Sequence, residues 1–468
     1  MPLYTRIFAQ GEYGIVTQLY AYVAFFNILF TYGLETGFFK YFNSEKNGDK
    51  VYSTSLISIT VSSVLFALFI ILFSGPISDF LLDDASDRLD YVSIFAIILA
   101  CEAIAAIPFA KLRQQNRAKR FAFIRLVNIA VNIGLNLFFL LLCPWLIKNN
   151  LAGWLTKLYD PAIGVGYVFL ANLIASVVTL LLLLPDMLVV RLKFDSLLWR
   201  QMIIYSFPLM IAGFAGMVNE TFDRILIPIL TPDKTSAMAQ LGVYGACYKL
   251  SIIMTLFIQT FRYAAEPFFF NHSTKENATT VYANVMKAFV IVCAMIFLLV
   301  MLYLDLIKYF IGENFRSGLI IVPILLLANL CLGVYYNLSI WYKLTSKTRW
   351  GAYLSVFGAI VTLVFNVILI PIYGYLGAAW ATLICYASMM VVSYLIGQRH
   401  YPVNYDLRSF FLYIVLALLL WQLSVFVDAR IDLSEMKMLL LNTAIFLVFP
   451  VVIWFLERRK NNYLRSRI

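Results

Sequence analysis

The sequence predicts an all-α, polytopic membrane protein. It should have about thirteen full transmembrane helices plus a truncated first helix, as two parallel six-helix repeats followed by two more helices. Three observations lead there. Of 468 residues, 62% are hydrophobic and only 13% charged, whereas a soluble chain is nearer half apolar and a quarter charged. The apolar residues gather into runs long enough to cross a bilayer, which takes about 20 residues each. Finally, one motif set recurs at a fixed distance along the chain.

The runs fall at 13–34, 54–75, 91–110, 121–146, 162–184, 201–230, 240–261, 286–306, 318–340, 351–371, 375–396, 410–427 and 438–456. Barrel strands would be half as long and alternate in polarity, which these do not. The loops alternate in charge. One set, from Lys40, Lys46 and Lys50 through Lys111–Arg120 to the tail Arg458–Arg467, holds 24 basic residues, and the other set holds 10. The basic set is expected in the cytoplasm, with the C-terminus inside and Ser78–Asp90 and Lys148–Asp160 outside. The net charge of +11 therefore reads as topology, and no nucleic-acid partner is expected. The six cysteines lie in or beside apolar runs without a CxxC pair, so neither disulfides nor zinc is expected. His272 and His400 are the only histidines, too few for a metal site or a histidine relay. No cofactor is implied, and without a Walker A motif any ATP drive would need a partner.

The repeat appears when the chain is laid on itself. Gly11, Tyr13, Gly14, Tyr32, Glu35, Phe38 and Phe39 recur 231 residues later as Gly242, Tyr244, Gly245, Tyr263, Glu266, Phe269 and Phe270. At an offset of 230, Asn136 meets Asn366, and Arg113 and Arg117 meet Lys343 and Lys347. Six spans separate the equivalents, so both copies share one orientation, a transporter architecture. The lobes are expected at 1–197 and 198–404, with the last two helices and a basic tail in 405–468. Copy two devotes Trp199–Leu230 to a helix ahead of its GxYG element, and copy one has only a short segment there. This leads to the expectation that the coding sequence starts upstream, with about 15–25 further apolar residues.

Several motifs together resemble the polysaccharide (oligosaccharidyl-lipid) flippases, Wzx-like members of the MOP exporter superfamily with a MATE-like fold. They are Pro2-Leu3-Tyr4-Thr5-Arg6 before Glu12-Tyr13-Gly14, Tyr32-Gly33-Leu34-Glu35 before Phe39-Lys40, Tyr205-Ser206-Phe207-Pro208-Leu209, Asp223-Arg224, Val243-Tyr244-Gly245, and Trp341-Tyr342-Lys343 with Thr345. The resemblance covers nearly the whole chain. It implies a fourteen-helix fold of two six-helix lobes around a cavity, and translocation of undecaprenyl-diphosphate-linked oligosaccharide across the bacterial inner membrane by alternating access. The implied setting is surface polysaccharide synthesis: O-antigen, capsule or exopolysaccharide. Implied partners are the lipid-linked substrate, membrane lipids, a coupling ion (H+ or Na+), and glycan polymerase and chain-length proteins. A MATE-like drug or cation antiporter and a MurJ-like lipid II flippase are the neighbouring readings.

Ionisable groups inside spans are expensive and are therefore site candidates. The sixth span carries Glu220, Asp223 and Arg224, which could serve a cavity or neutralise one another. The seventh carries a stripe of Tyr244, Tyr248, Ser251, Thr255, Gln259 and Arg262 with Lys249 beside it; such a stripe faces protein or water rather than lipid. Gln18 is the copy-one equivalent of Lys249. In the fourth span Arg125, Asn128, Asn132 and Asn136 share a face, and the asparagines could equally be interhelical glue. Basic residues recognise diphosphates strongly, so Arg224, Lys249, Arg125 and Arg262 lead the candidate list, followed by Asp223, Glu220, Tyr248, Gln259, Gln18 and Asn132. Glu102 is a candidate proton or ion site. Glu35 and Glu266, near Lys40 and Arg262, suit interfacial pairing. A membrane glycosyltransferase or polymerase could use Asp83, Asp84 and Asp87, but the outer loops are too short for an acceptor domain; no catalytic residue is expected.

Overall fold

The computed structural model describes residues 2–44, 48–82, 90–151, 159–188, 193–273, 275–345, 347–431 and 434–465. The Asp83, Asp84 and Asp87 run, Lys46 and Arg191 lie outside the described residues.

Thirteen helices are long and apolar enough to cross a membrane: α1 (Gln10–Phe42), α2 (Gly48–Leu72), α3 (Tyr91–Gln114), α4 (Ala118–Lys148), α5 (Gly166–Leu188), α6 (Ser196–Leu230), α7 (Lys234–His272), α8 (Ala278–Leu302), α9 (Glu313–Leu344), α10 (Arg349–Tyr373), α11 (Tyr375–His400), α12 (Leu407–Arg430) and α13 (Glu435–Arg459). A short helix, Pro2–Ile7, precedes them. This is the all-α polytopic fold that the hydropathy predicts, and the chain is a multi-pass membrane protein. Helix is forced because hydrocarbon offers no partner for a backbone N–H or C=O.

Two compact units divide the chain. One is Ile15–Thr221, and the other joins Met1–Gly14 to Phe222–Ile468. In the first, Phe30, Leu34, Phe38, Tyr52, Ile59, Ala103, Ile107 and Met202 form a buried core. In the second, Tyr335, Trp341, Leu354, Cys385 and Tyr386 do so from α9, α10 and α11.

Four spans are interrupted, one of them α9, which opens as a 3-10 stretch, Glu313–Ile321, and breaks again at Ser339. In α1 the helix stops at Thr31 and resumes at Leu34. Tyr32 and Gly33 there have φ of 34° and 69°, a region open to glycine and strained for tyrosine. The break is held from outside. The Tyr32 hydroxyl lies 2.6 Å from Ser58 Oγ, and Trp199 Nε1 donates to the same oxygen at 2.7 Å. In α7 a 3-10 turn, Lys249–Ser251, interrupts the helix at mid-span, and in α4 a π-turn covers Phe138–Leu142. Broken spans recur where transporters bind their cargo.

The GxYG element of copy one meets that of copy two inside the second unit. A Cβ on Gly14 would strike the backbone carbonyl of Met238, and one on Gly242 the carbonyl of Gln10. Only glycine lets α1 and α7 cross that closely, the small-residue packing that drives helix association in lipid.

Candidate functional site

In the Phe222–Ile468 unit, the candidates on α6 and α7 form one buried polar cluster. Asp223 is 4% exposed. It accepts a hydrogen bond from the Tyr244 hydroxyl, and its Oδ1 accepts from the Arg224 backbone N–H at 2.7 Å. The carboxylate is thereby spent on structure. Arg224 still feels the Asp223 charge, but its guanidinium sits 4.3 Å from the centre of the Tyr248 ring and makes no close ion pair with a described residue. Next to Tyr248 in the chain, Lys249 donates from Nζ to the Tyr13 hydroxyl at 3.0 Å. Gln259 is half-buried and makes no hydrogen bond to a described residue.

Further along α7, Arg262 lies over the Tyr336 ring at 4.9 Å, again without an ion pair among the described residues. Glu266 is taken by Lys343 of α9. In the Ile15–Thr221 unit, Glu35 is taken by Arg113 of α3. The repeat relation survives here as a matched pair of bridges, because Glu35 and Arg113 are equivalent to Glu266 and Lys343. The expected neighbours Lys40 and Arg262 do not fill these roles. Lys40 rests on the Tyr205 ring at 3.7 Å instead, one turn too far along the helix to reach Glu35.

The Ile15–Thr221 unit holds a cavity of about 490 Å³ among α1, α3, α4, α5 and α6. Glu35, Glu102, Arg113 and Arg125 line it. Arg125 rests 4.2 Å from the Phe109 ring. Glu102 makes no hydrogen bond or ion pair with a described residue, and Arg125 is the charge that acts on it. The asparagine stripe divides. Asn128 lines the cavity while bonding Ala175 O and Thr179 Oγ1 at 3.0 and 2.9 Å. Asn132 donates to Asn172 at 3.4 Å and accepts from Asn136, and Asn172 continues to Tyr20. That ladder is interhelical glue. Gln18 is 2% exposed and its Oε1 has no hydrogen-bond partner. Glu220 is exposed.

The cations sort into two kinds. Arg113, Lys343, Lys287 and Arg120 are bound to acids. Arg224, Arg262 and Arg125 rest on aromatic rings. A ring holds a guanidinium by about 0.5–2 kcal/mol. A charged hydrogen bond contributes about 1.5–3 kcal/mol, so at Arg224 and Arg262 an arriving anion can take the group without breaking a close ion pair. Of the aromatic seats, Tyr248 is already a candidate in the sequence, whereas Tyr336 and Phe109 were visible there only as apolar positions. The cavity residues Asn27, Thr31 and Ser176 were missed, although Asn27, Thr31 and Glu35 recur every fourth residue and mark one helix face.

Thirteen spans, several of them broken, with cations inside them define a multi-pass α-helical membrane protein. The chain belongs to the polysaccharide biosynthesis protein family, whose model matches residues 1–273. Its fold is similar to those of two solved membrane proteins. It is similar to a multidrug resistance MATE family transporter in an inward-facing conformation, at 14% identity over 85% of this chain and 92% of that one, TM-score 0.66. It is also similar to the lipid II flippase MurJ in an inward closed conformation, at 13% identity over 95% and 97%, TM-score 0.65. No curated protein matches the chain by sequence.

Proposed function

We propose that this chain is a flippase that moves undecaprenyl-diphosphate-linked oligosaccharide across the bacterial inner membrane for surface polysaccharide synthesis. Its C-terminus is cytoplasmic, and its two repeats, 1–197 and 198–404, work by alternating access. The polysaccharide family supports the glycan part of the reading. The observation that carries the anionic part is the set of intramembrane arginines seated on rings, Arg224 on Tyr248 and Arg262 on Tyr336. A diphosphate offers several acceptor oxygens and bidentate geometry to a guanidinium. Lys249 is a further donor to it. The prenyl tail stays in the bilayer, no bond is made or broken, and a gradient of H+ or Na+ supplies direction.

Within the Phe222–Ile468 unit, a cation site is disfavoured by the same charges. In the Phe222–Ile468 unit the acids Asp223, Glu266 and Glu457 are occupied by Tyr244, Lys343 and Lys287 respectively. An organic cation would meet the ring-seated arginines instead, and like charges repel at close range.

The test is a proteoliposome assay with a fluorescent prenyl-diphosphate oligosaccharide, scored by accessibility to an impermeant reagent. Protein-dependent movement of the donor, with no movement of a cationic dye, is expected. Dye movement with no donor movement would replace this reading by the antiporter.

A further inference from the structure

The cavity of the Ile15–Thr221 unit has a partial counterpart between α7 and α9 of the other unit. In copy two the faces of α7 and α9 equivalent to those of α1 and α3 line a pocket of only about 20 Å³, close to the 10–15 Å³ that one water needs. The first cavity is about 490 Å³, inside the about 300–1,000 Å³ range of small-molecule sites. The difference is written residue by residue. Asn27, Thr31, Glu102, Ala105 and Ala106 have as equivalents Ile258, Arg262, Leu332, Tyr335 and Tyr336. The two tyrosines and Arg262 occupy space that alanines and a threonine leave open. Where copy one keeps an amide and a carboxylate, copy two is aliphatic.

The groups left open are not a diphosphate site. Glu35 and Glu102 face Arg113 and Arg125, two acids against two bases, so the ionised cavity has no net charge to offer a polyanion. It is also not built for an ion. Among the described residues no three His, Cys, Asp or Glu side chains group as metal ligands, and a bare ion needs a far smaller space. What remains is a mixed set of donors and acceptors. The Asn27 amide and the Glu102 carboxylate have no hydrogen-bond partner among the described residues, Arg125 rests on a ring, and Ser176 adds a hydroxyl. Such a set matches a polyhydroxylated ligand, whose hydroxyls both donate and accept.

We infer that this cavity is a recognition subsite for the sugar portion of the substrate, a neutral or zwitterionic oligosaccharide, separate from the cations that take its diphosphate. The inference rests on the flippase reading and adds to it that copy one has specialised for glycan while copy two has closed the equivalent space.

The experiment uses the full chain in nanodiscs. The probe is the oligosaccharide repeat released from the host's own surface polysaccharide, free of lipid and phosphate, titrated calorimetrically. Saturable binding is expected, unaffected by inorganic pyrophosphate. Asn27→Ile, Glu102→Leu and Ala105→Tyr, which install the copy-two residues, should each weaken it at least about tenfold, the loss of one good hydrogen-bonded group or more. Asn27→Leu keeps size and removes the amide's donors and acceptor without adding a charge, so it should bind more weakly while melting like the parent. Donor flipping is measured on the same preparations. If the parent flips lipid-linked donor but does not bind free glycan, or if the copy-two substitutions leave binding unchanged, the subsite is refuted and the flippase reading stands. If the cavity responds to sodium alone, it is an ion site and the inference falls. If glycan binds but no donor is flipped, the subsite stands and the flippase reading falls.

Discussion

At the scale of single residues, the deciding feature is what each intramembrane charge touches. Asp223 and Arg224 are adjacent, yet their environments differ: the acid is held by Tyr244 and the cation lies on Tyr248. Removing the acid would leave Tyr244 unpaired and damage folding, whereas removing the cation should spare the fold and remove affinity. Arg224→Gln and Arg262→Gln should therefore keep normal membrane levels and melting. Each should reduce donor flipping about tenfold, the equivalent of one charged hydrogen bond near 1.4 kcal/mol. Lysine should rescue poorly, because an ammonium is a point charge without the planar fork. Flipping rates for Gln and Lys variants that match the parent would remove these arginines from the substrate path. Sequence alone marked the charges correctly as exceptions inside apolar helices. It could not tell which were spent, because that depends on partners such as Tyr244 and Lys343, 21 and 77 residues away.

At the scale of elements, the helices are organised by close glycine crossings and by carboxylates at their starts. The Gly14–Gly242 crossing leaves no room for a side-chain carbon against the facing carbonyls. Gly242→Ala should therefore destabilise the chain by about 1–3 kcal/mol, the usual overpacking penalty. Gly11→Ala, where open space surrounds the position, should be nearly silent. Equal melting temperatures for the two variants would contradict the crossing. The starts of α3, α6 and α7 follow Asp90, Asp195 and Asp233. Asp195 is held below the usual carboxylate range, first by the Leu198 N–H and then by Lys50. Asp233 is held down by the Thr235 and Ser236 hydroxyls. At Asp90, burial pushes upward, but bonds from Ser74 and Ser93 prevail and the net shift is downward. A lowered folded-state value means that the unfolded chain binds protons first as pH falls. The stabilisation is complete above the ordinary carboxylate value near 4 and is lost as pH drops through the lowered value. Thermal unfolding in detergent should show a melting temperature that is level at neutral pH and falls below about pH 4. The Asp195→Asn, Asp233→Asn double variant should flatten that fall, since Asn caps a helix without titrating. An unchanged slope would show that other groups govern acid stability.

At the scale of the whole molecule, much was legible because the membrane imposes simple rules. Thirteen apolar runs became thirteen spans, and the GxYG repeat turned out to mark a physical crossing at Gly14 and Gly242. The cavity was hidden for a physical reason. It exists because Ala105 and Ala106 are small, and in an apolar run an alanine is indistinguishable from any other packing residue until its neighbours are known. The break at Tyr32–Gly33 was hidden in the same way, since one glycine within an apolar run is common and the bond from Ser58 that fixes it is tertiary. Topology is the whole-molecule property that sequence argues most strongly and that chemistry can test directly. The loop between α3 and α4 belongs to the basic set, with Lys111, Arg113, Arg117, Lys119 and Arg120, and the end of α4 belongs to the sparse set. The positive-inside rule acts on charges within about 15–20 residues of the spans, so these two ends of one helix must face opposite sides. Gln115 and Asn150 are both exposed at these positions. Five native cysteines are buried and Cys331 is half-buried, so the parent should label weakly and the background should be low. In intact cells an impermeant maleimide should modify Asn150→Cys and spare Gln115→Cys, and permeabilisation should expose both. Labelling of Gln115→Cys from outside would invert the orientation. It would place the 24 basic loop residues on the outer face and leave the donor to be captured from the wrong side of the membrane.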